Sequence, residues 1–407
     1  MPVKWKKNKN LKPQIILSKI NSIKTVTDDK KISYSGFEYH NVMAVLQNMI
    51  QFPKSFEELD KESIISEAVN NIAKKADLDN TSVIDEINSL VRYKLAIRQL
   101  KYHMLTTISI KRPFPSKRII LEDSTIRILD YKYPKKYIGR DEIISKQNLD
   151  IVETPSNYTK LIVTLKSKSL NGAITKALRV LDIQRSIWCL FGNASWEIGG
   201  DDWQPINRIR LGGKHTLHKN TGKLATKVFW YEPNFVKTKL FYVDNFKDYK
   251  KNCAWALKQL KLSKYKTNIK DALIRYVRAL DERDQNVALI RLWGAIEALA
   301  APSESNYDLV TRRCSFLYSD QEYHKQVLEH LREYRNCSVH AGDQIGRAKT
   351  NCYQLQNYFY SLIIFHLKSA NDFSSLEEAN NFLDLPSNKK YLQKKKLLIE
   401  KAIKFIS

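Results

Sequence analysis

Glycine and proline are scarce in this chain, at 12 and 11 of 407 residues, which disfavours a loop-rich, low-complexity or purely β architecture. No window approaches about eighteen uninterrupted apolar residues, so no membrane span and no membrane partner are expected. Cysteine is limited to Cys189, Cys253, Cys314, Cys337 and Cys352, an odd number, widely spaced and without a CxxC pair. That argues against a disulfide framework and a cysteine zinc site, and it fits a reducing compartment. The opening Met1 to Lys7 stretch is basic but is followed by no apolar h-region and no cleavage site. A cytoplasmic location is therefore expected, with no metal and no cofactor.

Acids are also the minority. Against 43 Asp and Glu stand 68 Lys and Arg, a formal net charge of +25. A folded chain this basic has three classes of partner: nucleic acid, an anionic membrane surface, or an acidic protein. Nucleic acid is the favoured class. Hydrophobic residues make up 43% of the chain, enough for sizeable cores.

The expected architecture is α+β overall, in three regions: residues 1–110, a basic arm plus a helical region; residues 111–255, a mixed α+β domain suited to recognition or sensing; and residues 256–407, an all-α bundle. The first fifty residues carry nine lysines and three acids. Ile64, Ile65, Ala68, Ile72 and Ala73, then Val83, Ile84, Ile87, Leu90 and Val91, recur at three- and four-residue steps and predict two amphipathic helices. The breaker Lys111-Arg112-Pro113-Phe114-Pro115 predicts a connection. Strands are predicted at Leu161–Leu165, Ile206–Leu211 and Val228–Tyr231, with a helix over 171–190 between the first two. Beyond residue 256 only helical patterns occur: a helix capped at Asn268, further helices through Val287–Leu299, Leu309–Leu317, Val327–Val339 and Tyr353–Leu367, and a basic amphipathic tail.

Three Arg/His pairs have a four-residue gap: Arg98/His103, Arg210/His215 and Arg335/His340. Spacing cannot choose among them. Arg98/His103 falls in a slightly acidic helical segment, and Arg210/His215 straddles a strand end and Gly212-Gly213. Arg335/His340 lies near the end of a bundle helix. Asn336 follows the Arg directly, and Ala341-Gly342 follows the His as a helix stop.

At these residues the chain resembles the HEPN superfamily, in particular its Apea-like branch, whose signature is a polar residue directly after Arg, then His and a small residue, inside a four-helix bundle. Arg291–Leu299 looks like the first helix of that branch, with its acid at Glu297, and Thr311-Arg312-Arg313-Cys314 is similar to its basic turn. The likeness spans roughly residues 265–370, about a quarter of the chain. It implies a metal-independent endoribonuclease, a toxin or antiphage effector that cuts RNA as a homodimer through the C-terminal bundle. It implies Arg335, His340 and Asn336 as catalytic residues, Glu297 as their support, and Arg312 and Arg313 as RNA contacts. Members silenced by an adenylylating partner carry Tyr two residues after the His; Gly342 stands there, so that regulation is not expected, and which regulator or antitoxin restrains the chain is left open.

The chemistry stands without the family. Histidine, with an unperturbed pKa of about 6.5, suits removal of the RNA 2′-OH proton. Arginine grips phosphate with a planar fork that keeps its charge. One pair supplies half a site, and a two-fold dimer doubles it. Residues 301–350 hold seven basic and seven acidic side chains, so most phosphate contact must come from elsewhere. The competing readings are a HEPN-like module that binds nucleic acid or nucleotide without cutting, and a structural subunit of a complex.

Overall fold

The computed structural model describes residues 2–406 except 28, 30, 54–55, 57–58, 147–151, 194–195, 197–203, 303–306 and 341–347, together with the side chains of all but 307 and 338–340 in the helices. The order of elements is β1 (Lys4–Trp5), α1 (Pro13–Ile23), β2 (Lys24–Val26), β3 (Ile32–Tyr34), α2 (Glu38–Met49), β4 (Ile50–Gln51), α3 (Lys61–Ala73), α4 (Asn80–Ala96), β5 (Leu100–Ile108), β6 (Arg118–Leu121), β7 (Ser124–Leu129), α5 (Gly139–Lys146), β8 (Thr159–Ser167), α6 (Leu170–Gly192), β9 (Lys214–Lys219) and β10 (Trp230–Tyr231). Helices alone follow: α7 (Phe246–Leu262), α8 (Lys266–Ala279), α9 (Gln285–Ala300), α10 (Tyr307–Ser315), α11 (Gln321–His340), α12 (Ala348–Lys368), α13 (Leu376–Leu383) and α14 (Lys389–Ile406). The class is mixed α+β, with strands in the middle of the chain and helices at its end. No described helix is long and apolar enough to cross a membrane.

Two compact units interleave along the chain. One holds Met1–Met104, Thr164–Ala177 and Leu217–Lys227; the other holds Leu105–Val163, Leu178–Thr216 and Val228–Ser407. In the first, α1 to α4 bury one hydrophobic core that includes Leu17, Ile20, Leu46, Ile64, Ile65, Ala68, Val83 and Ile87. Asp60 caps α3 through Ser63 N (3.0 Å), and Asp79 with Ser82 forms a capping box on α4. Of the two forms open to the basic N-terminus, an arm or a first layer, the second is found: it is part of this fold. Val3 N donates to Asn88 Oδ1 (2.8 Å), Asn88 Nδ2 returns a bond to Val3 O (3.1 Å), and β1 pairs antiparallel with β4. Apolar Leu17, Ile20 and Ile23 between the lysines carry that segment into the core.

The main sheet has the order β10-β9-β5-β8-β7-β6. Three expectations are corrected here. Residues 98–103 are not helical: β5 begins at Leu100, and His103 on it shares hydrogen bonds with Thr164 Oγ1 (2.8 Å) and Asn220 Oδ1 (3.3 Å). Ile206–Leu211 is not a strand; Leu211 alone forms a bridge, to Ile108. Its alternation misleads because two of the polar positions are buried: Asn207 donates to Val277 O (2.6 Å), and Arg210 Nε folds back on Asn207 O (2.6 Å). Asn268 is no cap, because α8 starts earlier, with Tyr265 at the cap position and no side-chain bond there.

Helix α9 is the hub of the bundle. It packs on α8, α10, α11 and α12, and it buries Leu289, Leu292, Trp293, Ile296 and Leu299. Tyr276 of α8 stacks on Phe359 of α12, with ring centroids 4.5 Å apart. By contrast α14 buries no residue at all.

His366 on α12 is fully buried and shares one hydrogen bond, between its Nδ1 and Tyr265 Oη (3.1 Å). Burial pushes its pKa down from 6.5 to about 3. Between those values the unfolded chain binds a proton that the folded chain refuses. Stability present above pH 6.5 is therefore lost as the pH falls towards 3, by about 1.4 kcal/mol per pH unit at most. Urea midpoints followed from neutrality to about pH 4 should fall, and His366→Leu should flatten that slope. An unaltered slope in the variant would show that His366 is not responsible.

Candidate RNA-cleaving site

Helix α11 carries the motif because its apolar positions fall on one face. Leu328, Leu331 and Tyr334 are buried, and Tyr334 Oη donates to Asn286 Oδ1 in the first turn of α9 (3.1 Å). Asp284 caps that turn, accepting from Asn286 N (2.8 Å) and Val287 N (3.4 Å). The residue before Arg335 is thus anchored to the hub helix. Arg335 and Asn336 are half-buried, and Arg335 Nη1 donates to Asn336 Oδ1 (3.0 Å). The neighbouring Asn that the sequence singled out does hold the guanidinium. His340 is the last residue of α11; its side chain, and Ala341-Gly342 with the expected helix stop, lie outside the described residues. On a regular helix, positions five apart lie about 140° apart around the axis. Only a long side chain such as Arg can reach from one position toward the other.

The expected support differs in detail. Glu297 accepts from Trp293 Nε1 (2.7 Å), one turn earlier on α9. Arg313 is not placed on an open surface. It forks onto Asp384, through Nε (2.9 Å) and Nη2 (2.6 Å), and also donates to Ala300 O, with its side chain 7% exposed. Arg312 donates to the same carboxylate (2.8 Å) and stays half-exposed. Within these contacts the pair ties α10 to the end of α13, and Asp384 lies below its usual pKa because these two cations outweigh its burial. Charge around the motif is otherwise balanced locally, as where Arg332 pairs with Asp308 (2.6 Å) and Glu329 (2.7 Å).

Sequence reasoning missed a larger assembly. Arg185, 0% exposed within α6, grips Asp281 with both ends of its guanidinium (2.8 and 2.5 Å) and donates to Asp182 (3.0 Å). Arg278 bridges Asp182 (2.6 Å) and Glu232 (2.7 Å). His215 reaches Glu232 (3.0 Å) through Nε2 and shares its Nδ1 with Thr106 Oγ1 on β5 (2.7 Å). Burial works to lower the pKa of Arg185, but Asp281 and Asp182 overcome it and hold the guanidinium charged. Burial would raise Glu232, yet His215 and Arg278 hold it well below the ordinary carboxylate range. Asn207 extends the network to Asp281 (2.7 Å), Asn193 joins Asn207 (3.0 Å), and Gln356 of α12 donates to Asn193 O (2.8 Å). Every member is tied to another, so the assembly reads as a strut rather than a reacting centre. One signal of it was legible: an Arg inside an apolar helix, with Asp182 three residues before it. Among the described residues no cluster of His, Cys, Asp or Glu could hold a metal ion.

Asp281→Asn should leave Arg185 buried without its full partner and cost about 3–5 kcal/mol in denaturant unfolding. Asp271→Asn breaks only the exposed pair with Arg179, and it should cost less than about 1 kcal/mol. Equal costs would show that the buried network is not the strut described.

Comparisons of the chain with family models, with curated proteins and with solved structures find no match.

Proposed function

We propose that the chain is an RNA endonuclease that needs no metal and cuts by attack of the RNA's own 2′-OH. His340 takes the 2′-OH proton as O2′ bonds to phosphorus. The P–O5′ bond then breaks, and the departing 5′ oxygen takes a proton from a second acid. The products are a 2′,3′-cyclic phosphate and a 5′-OH end. Arg335 steadies the extra charge on the phosphate, and Asn336 fixes the guanidinium. The second acid is His340 of a second copy of the chain, brought into one cleft by pairing of the C-terminal bundles. A toxin or antiphage role is what the resemblance implies, and the cytoplasm is the location that the cysteine usage fits.

The observation that carries this reading is the Arg335–Asn336 bond on a helix anchored to α9 through Tyr334 and Asn286. Two further points support it: the motif helix packs on α9 within a helical bundle, and the chain as a whole is strongly basic.

Incubation with total RNA in EDTA is expected to give cleavage by the wild type. Arg335→Ala and His340→Ala should each lose about 10²–10⁴-fold in rate, with folding unchanged by circular dichroism. Cleavage that persists in both variants would remove the proposed site. A wild type that binds RNA but cuts none across varied substrates would return the chain to a binding module.

A further inference from the structure

The second unit holds a cleft of about 910 Å³ far along the chain from the motif. The Tyr131–Ile138 segment, the start of α5, the Thr154–Ser156 turn, Lys160 and Lys214 line it. Its walls are set before any ligand arrives. Arg140, 6% exposed, donates to Leu105 O (3.0 Å), Thr216 Oγ1 (2.7 Å) and Lys214 O (3.0 Å). Gly213 N donates to Thr154 Oγ1 (2.9 Å). At Gly212 the backbone runs so close that a Cβ would stand 1.9 Å from Thr107 Oγ1. Tyr133 Oη donates to Thr106 O (2.5 Å), which fixes its ring, and the Arg140 guanidinium lies 5.2 Å from that ring.

The charge of this cleft is of one main sign. Lys132, Lys135, Arg140, Lys160 and Lys214 line it against two carboxylates, Asp141 and Glu153. The hydrogen bonds of Arg140 and Lys160 go to neutral acceptors: Lys160 Nζ donates to Ser156 O (2.7 Å) and Tyr158 O (2.9 Å). Burial and the nearby Arg140 charge hold the pKa of Lys160 below its usual value, a strain that a bound anion would relieve. One open π face stands among the cations: Tyr131 is 75% exposed, with the Arg112 guanidinium 5.9 Å from its ring, while Tyr133 and Tyr137 in the same wall pack into the core. A free inorganic anion would have no use for that ring, and the carboxylates of an acidic peptide bring no flat partner for it. A nucleotide uses both, and its size suits such a volume.

We propose that this cleft binds a nucleotide unit, its phosphate among Lys132, Lys135, Lys160 and Lys214 and its base against Tyr131. The unit comes either as a free nucleotide, which would make the cleft a sensor, or as one residue of a single-stranded RNA. The proposal does not rest on cleavage at α11.

The test uses the full chain carrying His340→Ala, so that RNA is not consumed at the motif. Binding of a labelled single-stranded RNA is read by fluorescence anisotropy, and binding of nucleoside mono- and triphosphates and of inorganic phosphate by calorimetry. Lys132, Lys135 and Tyr131 are exposed, so their substitution leaves the fold intact. Lys132→Ala with Lys135→Ala, and separately Tyr131→Ala, should each weaken binding about tenfold or more. The triple alanine variant at Lys394, Lys395 and Lys396 on exposed α14 should bind as its parent does. Affinity for free nucleotides assigns a sensor; affinity for RNA alone, with a salt slope of about −0.7 per phosphate contacted, assigns a strand contact. Inorganic phosphate binding as tightly as nucleotide, cleft variants that bind like their parent, or no binding by any probe would each overturn the proposal.

Discussion

Arg185 is a permanent cation in the interior of the second unit, and its burial dictates what must stand around it. An unpaired guanidinium at 0% exposure would cost several kcal/mol, so carboxylates have to come from other elements. Asp281 comes from the turn after α8, Asp182 from α6 itself, and Arg278 from α8 to balance them. Glu232 and His215 carry the chain of contacts to Thr106 in the main sheet, and Asn207, Asn193 and Gln356 carry it to α12. The sheet and the bundle in this unit are therefore joined by directional charge-assisted bonds as well as by apolar packing. Such bonds are exacting about position, so they also fix where the first turn of α9 sits.

That turn is what the proposed cleavage site depends on. Asp284 caps it, Asn286 receives Tyr334, and Tyr334 immediately precedes Arg335. The motif is one bond removed from the rigid hub. Its surroundings are electrically balanced, with Arg312 and Arg313 held by Asp384 and Arg332 held by Asp308 and Glu329. A substrate as charged as RNA needs cations that are not already paired to acids. The cleft with Lys132, Lys135, Lys160 and Lys214 offers such cations within the same unit. Under the two proposals, chemistry belongs to the motif helix, and grip or sensing belongs to the α+β part.

The helices with one apolar stripe were legible from sequence because burial in a bundle demands a 3.6-residue period: α3, α4, α9, α11 and α12 all lie where that period runs. The sequence also lacks the long apolar runs that a membrane-crossing helix needs, and no described helix is long and apolar enough to cross a membrane. Asn336 as the neighbour of Arg335 was also legible, because adjacent residues on a helix are within reach of a long side chain.

Tertiary structure alone decided the rest. Ile206–Leu211 alternates like a strand, yet Asn207 turns inward to satisfy Val277 and Asp281, partners about seventy residues away that local pattern cannot announce. The lysine-rich N-terminus reads as an arm or a first layer, and only Asn88, which pins it, and the apolar residues that fill a core choose the second. Arg313 reads as a phosphate contact until Asp384, from a helix the sequence pattern did not mark, takes its fork. By itself the sequence determined the positions of the periodic helices, the excess of positive charge and the presence of an Arg-Asn pair near a helix end, because each is set by residues close together in the chain. Which charges are buried and paired, and which remain open to a ligand, was decided only by folding, because a charge is neutralised by whatever group packs beside it, however distant in sequence.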